Sequence, residues 1–137
     1  MADVAQRPVR LTAMNEQIVK LLIGVRSAIG IGAWTAPRFS GRLFGLDPEA
    51  NPQAAYLGRL FGVRDAALAV GLASNTGKHR AQWLQIGMVC DLADAAAGVL
   101  AGRRGELPPK ATLMVTATAL LAAGLGVVAL QGAAPAD

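Results

Sequence analysis

Histidine and cysteine are almost missing from this chain, which has one of each, His79 and Cys90. A lone cysteine excludes an internal disulfide and any cysteine-cluster metal centre, and Cys90 reads as a small apolar core residue. His79 stands between Lys78 and Arg80, so no histidine-rich metal site is available. Aromatic residues make up only 4% of the sequence, and charged residues 16% against about 25% in an ordinary soluble domain. The 13 Lys and Arg leave a formal charge of +4 but are scattered singly or in pairs between apolar runs. Without a basic face or cluster, nucleic acid is not an expected partner, and attraction to anionic lipid headgroups accounts for the same charges. There is no Ser-His-Asp set, Cys-His pair, HExxH run or glycine-rich phosphate loop, so no catalytic residue, metal or cofactor is assigned.

What the chain does have is long apolar runs. Residues 111–130 give twenty positions without a charge, and twenty helical residues rise about 30 Å, the thickness of a bilayer's hydrocarbon core. Three further runs, at about 17–36, 54–73 and 82–101, have similar length with few charges. None shows the polar stripe at period 3.6 that a soluble bundle requires. The expected architecture is therefore all-α: an integral membrane four-helix bundle, one domain over residues 1–137, with both termini on one side. Residues 1–16 and 131–137 read as polar tails, the latter disordered. The first span reads as an uncleaved membrane segment, because Trp34 and Pro37 spoil a small-residue cleavage site. Trp34 and Tyr56 would share one headgroup level, with Trp83 at the other. Residues 37–53 connect the first two spans as a short interfacial segment, either a helix presenting Phe39, Leu43 and Leu46 or an irregular loop. Ser74 to Arg80 reads as a polar turn.

The apolar runs have a polar centre. Arg26 is the tenth residue of its span, Arg64 the eleventh, Asp91 the tenth and Asp94 the thirteenth, and Asp65 adjoins Arg64. Each such charge costs about 3 kcal/mol on insertion scales, so these five must face one another rather than lipid. Gly87, Asp91, Asp94 and Gly98 share one helical stripe, and Gly58, Gly62 and Asp65 share another. Small residues beside the charges let helices approach closely enough for Arg to meet Asp. The proposed network is Arg26, Arg59, Arg64, Asp65, Asp91 and Asp94, with Gly58, Gly62, Gly87 and Gly98 as packing positions. Arg59 decides its balance. If Arg59 reaches inward, three cations meet three anions and the network is structural; if it turns to the headgroups, one carboxylate is left over as a proton or cation site. The favoured reading is a structural or partner-binding protein. A proton- or cation-coupled small transporter using Asp65, Asp91 and Asp94 is the alternative, and a lipid-phase acid–base enzyme a second one.

Residues 22–28 echo residues 60–66, sharing Gly-Val-Arg at one depth, as a duplicated and inverted helix would, or as chance would in two apolar-biased runs. Lys and Arg divide five against five between the two expected membrane sides, so orientation is open.

The run Leu43-Phe44-Gly45-Leu46-Asp47-Pro48, then Arg59-Leu60-Phe61-Gly62-Val63-Arg64-Asp65 with Gly71, then Asp91 and Asp94, resembles a family of small four-helix integral membrane proteins of unknown function, common in actinobacteria. The resemblance implies four spans and multi-pass insertion in a bacterial inner membrane, and it supplies no activity. Expected partners are the lipid bilayer and either a second copy or another membrane protein.

Overall fold

The computed structural model describes residues 7–132. Five helices follow one another: α1 (Arg7–Thr35), α2 (Pro37–Leu43), α3 (Ala54–Ser74), α4 (Gly77–Arg103) and α5 (Pro109–Gln131), with no strand among the described residues. Three of them are long and apolar enough to cross a membrane: Ala13–Thr35 within α1, then α4 and α5. α3 falls outside that set because its 21 residues carry Arg59, Arg64 and Asp65.

The helices extend beyond the runs read from hydropathy. Residues 7–16, expected as part of a polar tail, continue α1, with Pro8 in the first turn where a missing amide hydrogen breaks no helical bond. Residues 1–6 and 133–137, the rest of the two expected tails, lie outside the described residues. The expected turn at 74–80 shrinks to Asn75 and Thr76, both extended, followed by Gly77 at a φ of +53°. That positive φ lets the chain reverse within three residues, so Lys78, His79 and Arg80 become the first turn of α4. The turn is tied down by Asn75 Nδ2 donating to the Gly71 carbonyl at 2.8 Å and by Arg80 Nε donating to the Asn75 carbonyl at 2.7 Å. Arg80 also pairs with Glu16 of α1 at 2.7 Å, which places the early part of α1 beside this turn.

Between α1 and α3, both expected forms of the connection occur in sequence. α2 is a helix opened by Pro37, and irregular turns fill the remainder. It stops in a Schellman motif: Leu46 N–H donates to the Gly41 carbonyl at 2.9 Å and Gly45 N–H to the Arg42 carbonyl at 3.0 Å, with Gly45 at a φ of +78°. α4 ends the same way around Gly105. Gly45 seats the connection on the start of α5, where Ala111 is fully buried.

The four long helices make two tight pairs, α1 with α3 and α4 with α5, while the contacts of α1 with α5 and of α3 with α4 are sparser. Glycine sets the tight contacts. A Cβ on Gly62 would lie 2.6 Å from the Gly30 carbonyl oxygen, and one on Gly30 would lie 2.8 Å from that of Gly62, so the backbones of α1 and α3 touch. A Cβ on Gly98 would lie 2.6 Å from Thr116 Oγ1 of α5. Along the sparser seam larger groups fill the space. The Trp83 ring lies on Gly71, and Val19, Leu22, Leu72, Leu84 and Ala129 form an apolar cluster.

Substituting leucine at Gly62 is expected to lower stability in detergent by about 1–3 kcal/mol or more, because two backbones must separate. Gly24, its counterpart in the internal echo, faces open space. Gly24→Leu is expected to leave the unfolding midpoint within error, and thermal unfolding of the two variants side by side tests the difference.

Candidate functional site

Large apolar side chains lie on the surface, while three charged ones are buried among the apolar core. Val89, Leu113 and Leu121 are 67%, 70% and 70% exposed, whereas Arg26, Asp65 and Asp91 are 5%, 4% and 4% exposed. Buried ions persist only when paired and hydrogen-bonded, and these are. Arg26 Nη1 donates to Asp65 Oδ1 at 3.1 Å and Nη2 to Asp91 Oδ2 at 2.6 Å. One guanidinium from α1 thus holds a carboxylate from α3, its close neighbour, and another from α4. α1 and α4 have no adjacent backbones among the described residues, so Arg26 reaches across the diagonal of the assembly.

Gly87 makes that reach possible. A Cβ there would lie 3.0 Å from Arg26 Nη2, so the bare backbone of α4 is the seat of the guanidinium. Gly87, expected to bring helices together, instead makes room for an ion one turn from the carboxylate that binds it. The space beside Arg26 and Asp91, walled by Leu22, Leu72, Leu84 and Met88, has no room for a water molecule.

A second pair lies alongside. Arg64 of α3 donates from Nη1 and Nη2 to the two oxygens of Asp94 in α4, at 2.9 and 2.6 Å, the forked geometry that suits arginine and carboxylate. Arg64 Nη2 also stands 3.9 Å from Asp65 Oδ1, linking the pair to the buried triad. The Phe61 ring lies beneath the guanidinium at 4.5 Å, a cation–π contact. This pair reaches the surface, with side chains 33% and 30% exposed.

Five of the six residues expected in the network are therefore together, and Arg59 is not. It is exposed, and its Nε donates to the Trp34 carbonyl at 3.3 Å, one of the carbonyls left without a helical partner in the last turn of α1. Two guanidiniums face three carboxylates, and one negative charge is in excess. Gly62 and Gly98 pack helices as expected, whereas Gly58 meets only Pro37, with room for a methyl group at 3.4 Å. Sequence reasoning missed Phe61, although it lies three residues before Arg64 on the same helical face. Gly71, the seat of Trp83, was read only as part of the resemblance. No group of three or more His, Cys, Asp or Glu is placed to hold a metal ion among the described residues.

Removing one partner of a buried pair strands the other, so Arg26→Gln is expected to cost about 3–5 kcal/mol of stability. Asp65→Asn and Asp91→Asn should each be costly but less than additive in combination, since they share one guanidinium. Arg59→Gln should change stability by no more than about 0.5 kcal/mol. Chemical denaturation in a fixed detergent ranks the four variants, and an Arg59→Gln cost equal to that of Arg26→Gln would contradict the assignment.

No known family model, curated protein or solved structure matches this chain.

Proposed function

We propose that the chain is an integral membrane four-helix bundle, multi-pass in a bacterial inner membrane, whose arginine–aspartate cluster is a structural clamp and whose half-exposed pair is covered by a membrane partner. The observation that carries the reading is Arg26, which joins carboxylates of α3 and α4 at 3.1 and 2.6 Å in a space closed to water. A clamp needs that closure, whereas an ion path does not tolerate it.

α3 is the fourth span on this reading. Its 21 residues rise about 31 Å, and each charge that weighs against it has a partner. Asp65 is held by Arg26, Arg64 by Asp94, and Arg59 by a backbone carbonyl at the end of α1, where the headgroups begin. The exposed apolar side chains of α1, α4 and α5 supply the lipid-facing surface. Arg64 and Asp94 break that surface at mid-depth, and a helix of a second copy or of another membrane protein laid over them would remove the pair from lipid.

One observation favours a second reading, proton- or cation-coupled transport. The cluster holds three carboxylates and two guanidiniums, and Asp94 is its most accessible acid. Lipid-phase acid–base chemistry would need a cleft opening onto the acids, and the space beside Asp91 does not admit a water molecule.

Proteoliposomes carrying a pH-sensitive dye test the choice. The clamp predicts no proton flux in either gradient direction, with Asp91→Asn lowering extraction yield and thermal stability together. Flux that disappears in a stably folded Asp94→Asn variant would establish the transport reading instead.

A further inference from the structure

We propose that the groove between α4 and α5, at the end where α4 stops and α5 begins, binds an anionic phospholipid. One acyl chain lies in the groove and the headgroup meets Arg103, Arg104 and Lys110. This inference rests on the membrane reading given above.

The groove is open along one side, offers about 430 Å³, and is lined by Val99, Gly102, Leu107, Pro109, Thr112, Leu113 and Thr116. That volume falls within the range of about 300–1,000 Å³ occupied by small-molecule sites. Only two side chains in that lining are polar, and neither offers its hydroxyl to a ligand. Thr112 Oγ1 donates to the Pro108 carbonyl at 3.1 Å, and Thr116 Oγ1 is buried against the backbone of Gly98. Whatever lies in the groove must therefore be apolar along its length. From Pro109 to Thr116 the wall rises about 10 Å, a third of the hydrocarbon thickness, which suits the upper part of one acyl chain.

The mouth has the opposite character. Arg103 follows Gly102, Lys110 follows Pro109, and Arg104 caps α4, all three exposed. Glu106 is the only acid in the connection between the two helices and stands 4.0 Å from Arg104. Three cations against one carboxylate leave this rim positive, so the head of the occupant is anionic. An apolar body with an anionic head is an amphiphile, and the bilayer offers that chemistry as phospholipid. At the other end of the molecule Arg80 is engaged by Glu16 and the Asn75 carbonyl.

Native mass spectrometry of the full chain, released from nanodiscs containing phosphatidylglycerol and phosphatidylcholine in equal parts, reads the outcome. The expected result is retention of one phosphatidylglycerol in preference to phosphatidylcholine. That preference should fall about tenfold or more in Arg103→Gln/Arg104→Gln/Lys110→Gln, since each cation near a lipid headgroup contributes to binding. Val99→Trp, which fills the groove, should release the lipid while leaving the thermal midpoint of the lipid-free protein in detergent unchanged. Equal retention of the two lipids, or full retention by both variants, would overturn the site while leaving membrane insertion intact. A chain that stays soluble without detergent would overturn the membrane reading itself.

Discussion

Five charges at the middle of apolar helices cannot face lipid, and the position of Arg26 is how this fold meets that constraint. Its guanidinium hydrogen-bonds carboxylates of both α3 and α4. The rest follows from making room for it. Gly87 must lack a side chain, α1 must stand diagonal to α4 rather than against it, and the apolar cluster of Val19, Leu22, Leu72, Leu84 and Ala129 closes the space to one side. A buried ion set of this kind is a weak source of net stability, because desolvation offsets much of the attraction. Its contribution is selectivity: a shift of α4 by one residue would turn Asp91 away by about 100° and leave the guanidinium stranded.

Tight and loose contacts divide the labour. Within each helix pair, glycine brings backbones or short side chains together, Gly30 on Gly62 and Gly98 on Thr116. Between the pairs, Trp83 and the long arm of Arg26 fill a wider seam. Inside a bilayer the hydrophobic effect does not drive helices together, so close packing and polar contacts must do so. The tight pairs rely on the first and the seam relies on the second. The ions lie where packing alone would hold least.

Much of this was legible in advance, because intramembrane charge is rare enough to stand out. Arg26, Arg64, Asp65, Asp91 and Asp94 were recognisable from depth, and the stripe joining Gly87 to Asp91 from helical spacing. Arg59 was misplaced because depth was weighed without rotation. Five residues turn a helix by about 500°, which leaves Arg59 about 140° from Arg64 and on another face. Which arginine meets which aspartate was not legible, since it depends on the diagonal placement of α1 and α4. The internal echo misled in a similar way. Arg26 and Arg64 do join one cluster, yet Gly24 faces open space while Gly62 bears on Gly30. The shared letters do not make a repeated contact. Helix ends were underestimated because hydropathy reports where lipid is favourable, whereas Gly77, Gly105 and the short turns report where the backbone can stop.

The distribution of charge within the cluster bears on what it is for. Arg26 with Asp65 and Asp91 carries the excess negative charge and is buried, while Arg64 with Asp94 is balanced and half exposed. Arg64, 3.9 Å from Asp65, leans its remaining field toward the unbalanced set. A carrier needs its uncompensated charge where an ion can reach it, and needs space around it that changes with occupancy. Here the uncompensated charge is the part closed to water, and the reachable part is already neutral. That order suits the structural reading proposed above, since the group left accessible at the surface is a neutral pair rather than a net charge. The same order explains why a forked, two-bond pairing falls on Asp94, and why Phe61 lies beneath its arginine.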